Sequence, residues 1–178
     1  MLDARDTETE AHSRRVVQIA LTLGMALGLP PADLRALEVG AMLHDVGKIG
    51  VPDSILRKPG PLTTDEWQVM RRHPEIGCDI LAELGFLKTA LPLVLHHHER
   101  WVGDGYPSRL RGNDIPLGAR IFALADAYDV IRSRRPYKQP YSHRTAIDII
   151  RRDTGTHFDP RVSQMFMELY EHRPPRLH

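Results

Sequence analysis

The stretch "VVQIALTLGMALGL", Val16 to Leu29, decides the fold. Its apolar residues recur at helical spacing, and Pro30-Pro31 then stops the helix, because proline cannot continue the hydrogen-bond ladder. Downstream, "LRALEVGAMLHD" predicts a second helix from about Ala32 to near Gly47, with His44 and Asp45 on its last turn. "GVPDSILRKPGPL" reads as loop with one helical turn, after which Thr63 and Glu66 form a capping-box start. The helix begun there carries Trp67 and Met70 and reaches His73. Pro74 interrupts it, and "EIGCDILAEL" follows as another short helix. "KTALPLVLHHH" leads into residues 99–116, whose glycines and prolines predict a long loop of the kind that is often functional. "LGARIFALADAYDVIRS", "SHRTAIDIIRR" and "DPRVSQMFMELYE" are three further helices, and "HRPPRLH" is a frayed tail. No segment alternates with period two. The expectation is an all-α helical bundle, one domain over residues 1–172 with a tail at 173–178.

A chain of 178 residues is long enough for one domain with a full hydrophobic core. The formal net charge of +1 gives no reason to expect duplex nucleic acid or an anionic membrane as partner, so any basic site is local. Cys78 is the only cysteine, which rules out an internal disulfide framework. The start, "MLDARDTETEAHSRR", lacks the apolar run of a signal peptide, and no stretch reaches membrane-spanning length. A cytoplasmic protein without membrane insertion is expected. The abrupt acidic opening is what a piece of a longer protein would show.

His44 and Asp45, adjacent at a helix end, offer one nitrogen and one oxygen ligand to the same point. An isolated His-Asp pair is more often a helix-end histidine beside a surface acid. Here "HDVGKIG" adds Lys48 one turn on, bracketed by Gly47 and Gly50, so a cation stands beside the two ligands in backbone able to approach a phosphate. Within His96, His97 and His98, neighbours on a helix differ by about 100°, so two lean into one site while a third sits about 200° from the first. Spacing alone does not decide whether His96 or His98 is the odd one. Asp126 and Asp129 lie three apart on an otherwise apolar helix face, where a carboxylate is costly unless paired or bound to a cation. Glu8 and His12, at i and i+4, project from one face, as a solvated pair would also do. Imidazoles and carboxylates without thiolate suit iron, manganese or zinc, and so many ligands suit two or more ions. Such a centre lowers the pKa of a bridging water and clamps phosphoryl oxygens, which is machinery for phosphoester hydrolysis.

The motifs "HDVGKIGVPDSILRKPGPLTTDEW", "HPEIG", "HHERWVGDGYP", "ADAYDVIRSRRPY" and "FDP", in this order, resemble the HD-GYP family of the HD superfamily of metal-dependent phosphohydrolases. The resemblance runs from about Glu8 to Met167. It implies an HD-type helical bundle and a bacterial phosphodiesterase that hydrolyses cyclic di-GMP to pGpG and, in some members, to GMP. It implies as metal ligands Glu8, His12, His44, Asp45, His73, His97, His98 and Asp126, leaving His96 as the extra histidine. It further implies that Asp45 bridges ions, that Lys48, Arg135 and Lys138 meet substrate phosphate, and that Gly105, Tyr106 and Pro107 are the signature loop, with Tyr106 at the substrate. Two or three divalent ions, iron or manganese, are the implied cofactors, the third depending on Glu8 and His12. The implied partners are cyclic di-GMP, GGDEF, sensory or receiver domains, and a second copy in a homodimer. The alternatives are another cyclic dinucleotide, such as cyclic GMP-AMP, and a non-catalytic cyclic di-GMP receptor. One departure is visible: Val102 replaces the usual aspartate of the loop, with Asp104 two places on, which costs no implied ligand and bears on loop order and partner contacts.

Overall fold

Nine α-helices run through the residues that the computed structural model describes, 10–133 and 139–175, and no strand accompanies them beyond an isolated bridge between Thr154 and Phe158. The all-α expectation therefore holds. The core forms where α1 (Glu10–Ala26), α2 (Pro31–Leu43), α6 (Leu91–His96), α7 (Leu117–Arg132), α8 (His143–Asp153) and α9 (Pro160–Tyr170) meet. From α1 it takes Val16, Ile19, Ala20 and Leu23, from α7 Ile121, Phe122, Leu124, Ala125 and Tyr128, and from α8 and α9 Ile147, Ile150, Val162 and Phe166. Each fully buried Val, Leu, Ile or Phe side chain among them contributes about 1.5–3 kcal/mol. Because α7 packs against α1, α2, α6, α8 and α9, it is apolar over most of its circumference. Gly40 lets α2 and α6 approach closely, since a Cβ there would lie 3.0 Å from Leu93 Cβ.

A second, smaller cluster of Val51, Ile55 and Met70, backed by Leu62 and Trp67, fastens the segment containing α3 (Asp53–Leu56) and α4 (Thr64–Met70). The predicted capping box is present: Thr63 accepts from the Glu66 amide, and Glu66 accepts from the Thr63 amide at 2.7 Å. Pro174 and Pro175, in the tail, line a cavity with Arg15, Tyr128 and Asp129, so the chain beyond α9 lies back towards α1 and α7.

Three helix boundaries differ from the sequence expectation. The second helix ends at Leu43 rather than near Gly47: His44 is its C-cap, and residues 46–50 form a tighter 3-10 turn that sets Gly47 against the backbone of His73 and Gly77. The helix begun at Thr64 stops at Met70 and does not reach His73. His73 instead opens α5 (His73–Ala82), with Pro74 in its first turn, where a missing amide breaks no hydrogen bond. Finally, α6 ends inside the triple histidine, with His97 as C-cap and His98 beyond it.

Candidate metal centre

Asp45, His73, His97 and His98 each offer one ligand atom, and these four atoms lie within 4.8 Å of one another. They come from three places in the chain: the turn after α2, the start of α5, and the two residues that follow α6. His44 stands beside them, its Nε2 3.2 Å from Asp45 Oδ2.

The backbone fixes which nitrogen each imidazole presents. His44 Nδ1 lies 2.8 Å from the Ala41 carbonyl, His73 Nδ1 2.8 Å from that of Met70, and His97 Nδ1 2.8 Å from that of Val94. A carbonyl only accepts, so Nδ1 carries the hydrogen and Nε2 of the neutral ring presents a lone pair. The same three-residue reach recurs because each histidine ends or begins a helix, where i−3 carbonyls are left over. His73 Nε2 and His97 Nε2 are 3.3 Å apart, and His73 Nε2 is 3.1 Å from Asp45 Oδ1, a buried oxygen without a hydrogen-bond donor. Burial, with His44 next, pushes His97 down to about 3, and burial with His97 and His73 holds His98 well below the ordinary imidazole value. Burial alone would raise Asp45, but His44, His73 and Lys48 hold it well below the usual carboxylate range. Neutral nitrogens and an ionised carboxylate thus converge acceptor against acceptor. This donor set fits a divalent cation, which would satisfy all of them at once.

Glycines build this convergence. A Cβ on Gly47 would lie 1.9 Å from the His73 carbonyl oxygen and 2.5 Å from the Gly77 amide nitrogen, both backbone atoms. The first glycine of "HDVGKIG" and the glycine of "HPEIG" therefore let two backbones touch, which brings Asp45 to His73. Gly105 does the same for the loop: a Cβ there would lie 2.6 Å from the His98 carbonyl oxygen and from Glu99 Cα. The Tyr106 amide bonds the His98 carbonyl, and the Tyr106 ring stacks on His98 with centroids 4.7 Å apart. Burial raises the Tyr106 hydroxyl, so it stays protonated there. The buried Glu99 accepts from the Ser108 amide at 2.7 Å, and His96 Nδ1 lies 3.7 Å from its carboxylate. His96 thus faces Glu99 and stands outside the four-atom group. Lys48 pairs with Asp45 Oδ2 and sets its charge at the ligand cluster.

His12 and Asp126 form a second group between α1 and α7. His12 Nε2 is 3.3 Å from Asp126 Oδ1, and its Nδ1 is 2.7 Å from Asp129 Oδ2. Asp129 is buried and takes the Arg15 guanidinium in a two-pronged contact at 2.7 and 2.9 Å. Although burial would raise it, His12 and Arg15 hold Asp129 at about 2. Of the two carboxylates on this helix, Asp129 is therefore the one that orients His12, and Asp126 the more exposed one that faces its far nitrogen. Phe122, one turn before Asp126 on α7, packs on the His44 ring at 4.5 Å, which ties this group to the first.

Glu8, Arg135 and Lys138 lie outside the described residues. Val102, in place of the aspartate, is 38% exposed, and its amide bonds the Thr156 carbonyl, so this position is held by backbone pairing. Sequence reading missed the positioning role of Glu99 and the Arg15–Asp129 pair. The spacing of His12 and Arg15 on one face of α1, opposite Asp129, was the available signal. Arg120 and the buried Asp159, 2.6 Å apart, also went unnoticed; they tie the first turn of α7 to the start of α9, which Asp159 caps.

The HD domain family model matches residues 1–162. A cyclic di-GMP phosphodiesterase of Vibrio cholerae is 44% identical over 186 residues, covering 96% of this chain and 38% of that protein. A 3'3'-cGAMP-specific phosphodiesterase 2 of the same organism is 37% identical over 96% of this chain and 33% of its own length. A cyclic di-GMP phosphodiesterase of Thermotoga maritima is 39% identical over 93% of this chain and 45% of its own. The chain thus spans less than half the length of these relatives. Among solved structures, a cyclic GMP-AMP specific phosphodiesterase of V. cholerae superposes with a TM-score of 0.74 at 23% identity, over 93% of this chain and 44% of that one, a likeness of fold.

Proposed function

The chain belongs to the HD domain family, and from that premise we propose that it hydrolyses a phosphodiester bond of cyclic di-GMP, giving pGpG and, by a second cut, GMP. The observation that carries the reading is the convergence of bare imidazole nitrogens on the ionised Asp45, with Lys48 alongside. Divalent cations bound there supply Lewis-acid stabilisation of phosphoryl oxygens and a nucleophile at neutral pH. The chain's own residues do the rest. Lys48 offers a positioned charge to a phosphoryl oxygen as negative charge develops on it. Tyr106 closes one side of His98 and limits water there. Arg135 and Lys138 hold substrate phosphate in this reading, and Glu8 with His12, Asp126 and the cluster residues would hold a third ion. Iron or manganese is the proposed metal, and the cytoplasm the proposed compartment. No helix among the described residues is long and apolar enough to cross a membrane. GGDEF, sensory or receiver domains and a second copy of the chain are the proposed partners.

Hydrolysis of 3'3'-cGAMP is the second reading, favoured by the 37% identity to a protein named for that specificity. A purely binding role for cyclic di-GMP sits poorly with so many buried ligands directed at one point, because a receptor has no use for them. The deciding experiment purifies the protein with and without oxygen, counts metals, and follows both dinucleotides by chromatography. Turnover of cyclic di-GMP that scales with metal content is expected. Metal-replete protein that binds the dinucleotide and leaves it intact would refute hydrolysis. Counting ions in Glu8→Ala tests the third: the number should fall by about one, and an unchanged count of two would leave a dinuclear centre.

A further inference from the structure

We propose that Arg71 is a substrate-binding residue that holds the second phosphate of the dinucleotide, the one not being cleaved. The assignment rests on the phosphodiesterase reading above. Arg71 is exposed and follows the last turn of α4. Its guanidinium carbon lies 5.3 Å above the Tyr106 ring and 6.0 Å from the Trp67 ring. Tyr106 in turn stacks on His98, a member of the four-residue cluster. The cation is therefore one cation–π contact and one ring stack from the cluster.

A cation held over aromatic faces does not use up its N–H donors as it would on a carboxylate, so they remain for an anion. No carboxylate among the described residues pairs with Arg71, in contrast with Arg15, Arg120 and Arg151, each held by an acid. An edge of parallel donors on a pre-positioned cation matches a phosphate's two free oxygens. Trp67 packs on the Val51, Ile55 and Met70 cluster, so one of the two aromatic faces beside Arg71 is fixed by the fold. A cyclic dinucleotide carries two phosphodiesters. With the reacting one at the cluster beside Lys48, the other needs cations of its own, and Arg71, at the rim of the same site, joins the Arg135 and Lys138 proposed above for substrate phosphate.

The test compares two substrates with the metal-loaded protein: cyclic di-GMP, with two phosphates, and bis(p-nitrophenyl) phosphate, with one. In Arg71→Ala, the ratio of kcat/KM for cyclic di-GMP to that for bis(p-nitrophenyl) phosphate should fall about 10-fold, mostly through KM, at unchanged metal content. Arg71→Lys should recover part of the loss, because it keeps the charge without the flat fork. An unchanged ratio overturns the assignment, whether both substrates keep their rates or both lose them equally through a displaced Tyr106. A wild-type protein that cleaves bis(p-nitrophenyl) phosphate but no cyclic dinucleotide overturns the functional reading itself, and Arg71 falls with it.

Discussion

Replacing Gly47 by alanine should damage both fold and metal site, and the structure sets the size of the effect. The added Cβ would lie 1.9 Å from the His73 carbonyl oxygen, so the two backbones must part by roughly 1.1 Å to reach even the 3.0 Å floor of real contacts. No rotamer relieves this, since the opposing atoms are backbone. Overpacking of this kind costs about 1–3 kcal/mol, which for a chain of this length lowers Tm by roughly 2–12 °C. The movement also draws Asp45 from His73 Nε2, now 3.1 Å from its Oδ1, so metal content should fall with Tm. Gly77→Ala is the control. Its Cβ would meet the Gly47 amide and a Val94 methyl at 3.3 Å, which needs a shift of only tenths of an ångström. The assay is a thermal melt of metal-free and metal-loaded protein with ion counts on the same samples. A Gly47→Ala protein that melts with wild type and binds metal normally would refute the reasoning, as would equal losses in the two variants.

Lys48→Ala should keep its metal and lose about 100-fold in kcat, the usual cost of removing a positioned electrostatic stabiliser, and steady-state kinetics will show unchanged turnover if Lys48 is only a surface charge. His96→Ala should retain metal where His97→Ala and His98→Ala lose it, and ion counts in the reverse order would mean that the register of the triple histidine is wrong. His157 is held at about 4 by burial and then by Arg100, against an ordinary 6.5, so between those values the unfolded chain binds a proton that the folded one refuses. Stability should therefore decline as pH falls from 6.5 towards 4. In urea titrations at pH 7.5 and 5, His157→Gln should lose less than wild type across that interval, and parallel losses would count against this origin.

The helical class was legible because period and punctuation are local properties: "VVQIALTLGMALGL" needs one buried face, and Pro30-Pro31 ends it wherever the rest of the chain goes. Boundaries were less legible. Pro74 reads as a breaker, yet the same missing amide suits the first turn of α5, and only the packing of α4 shows which applies. In the same way α2 stops at Leu43 because Gly47 is pressed against α5, a contact with a segment some thirty residues on.

By itself the sequence determined the residue types of the site, the order of the motifs and the need for a cation near Asp126 and Asp129, because a charge on an apolar stripe demands a partner. The tertiary structure decided which partner. Asp129 goes to Arg15 and His12, leaving Asp126 to face the imidazole's other nitrogen. For the three histidines, where spacing left the choice open and the family resemblance named His96 as the extra, the structure supplies the geometry: α6 ends at His96, so the rigid 100° step no longer governs the third histidine, and His98 lies in the group with Asp45 while His96 faces Glu99. Helix period is set within a few residues, but the point where a helix stops, and so where its last side chains aim, is fixed by whatever packs against its end.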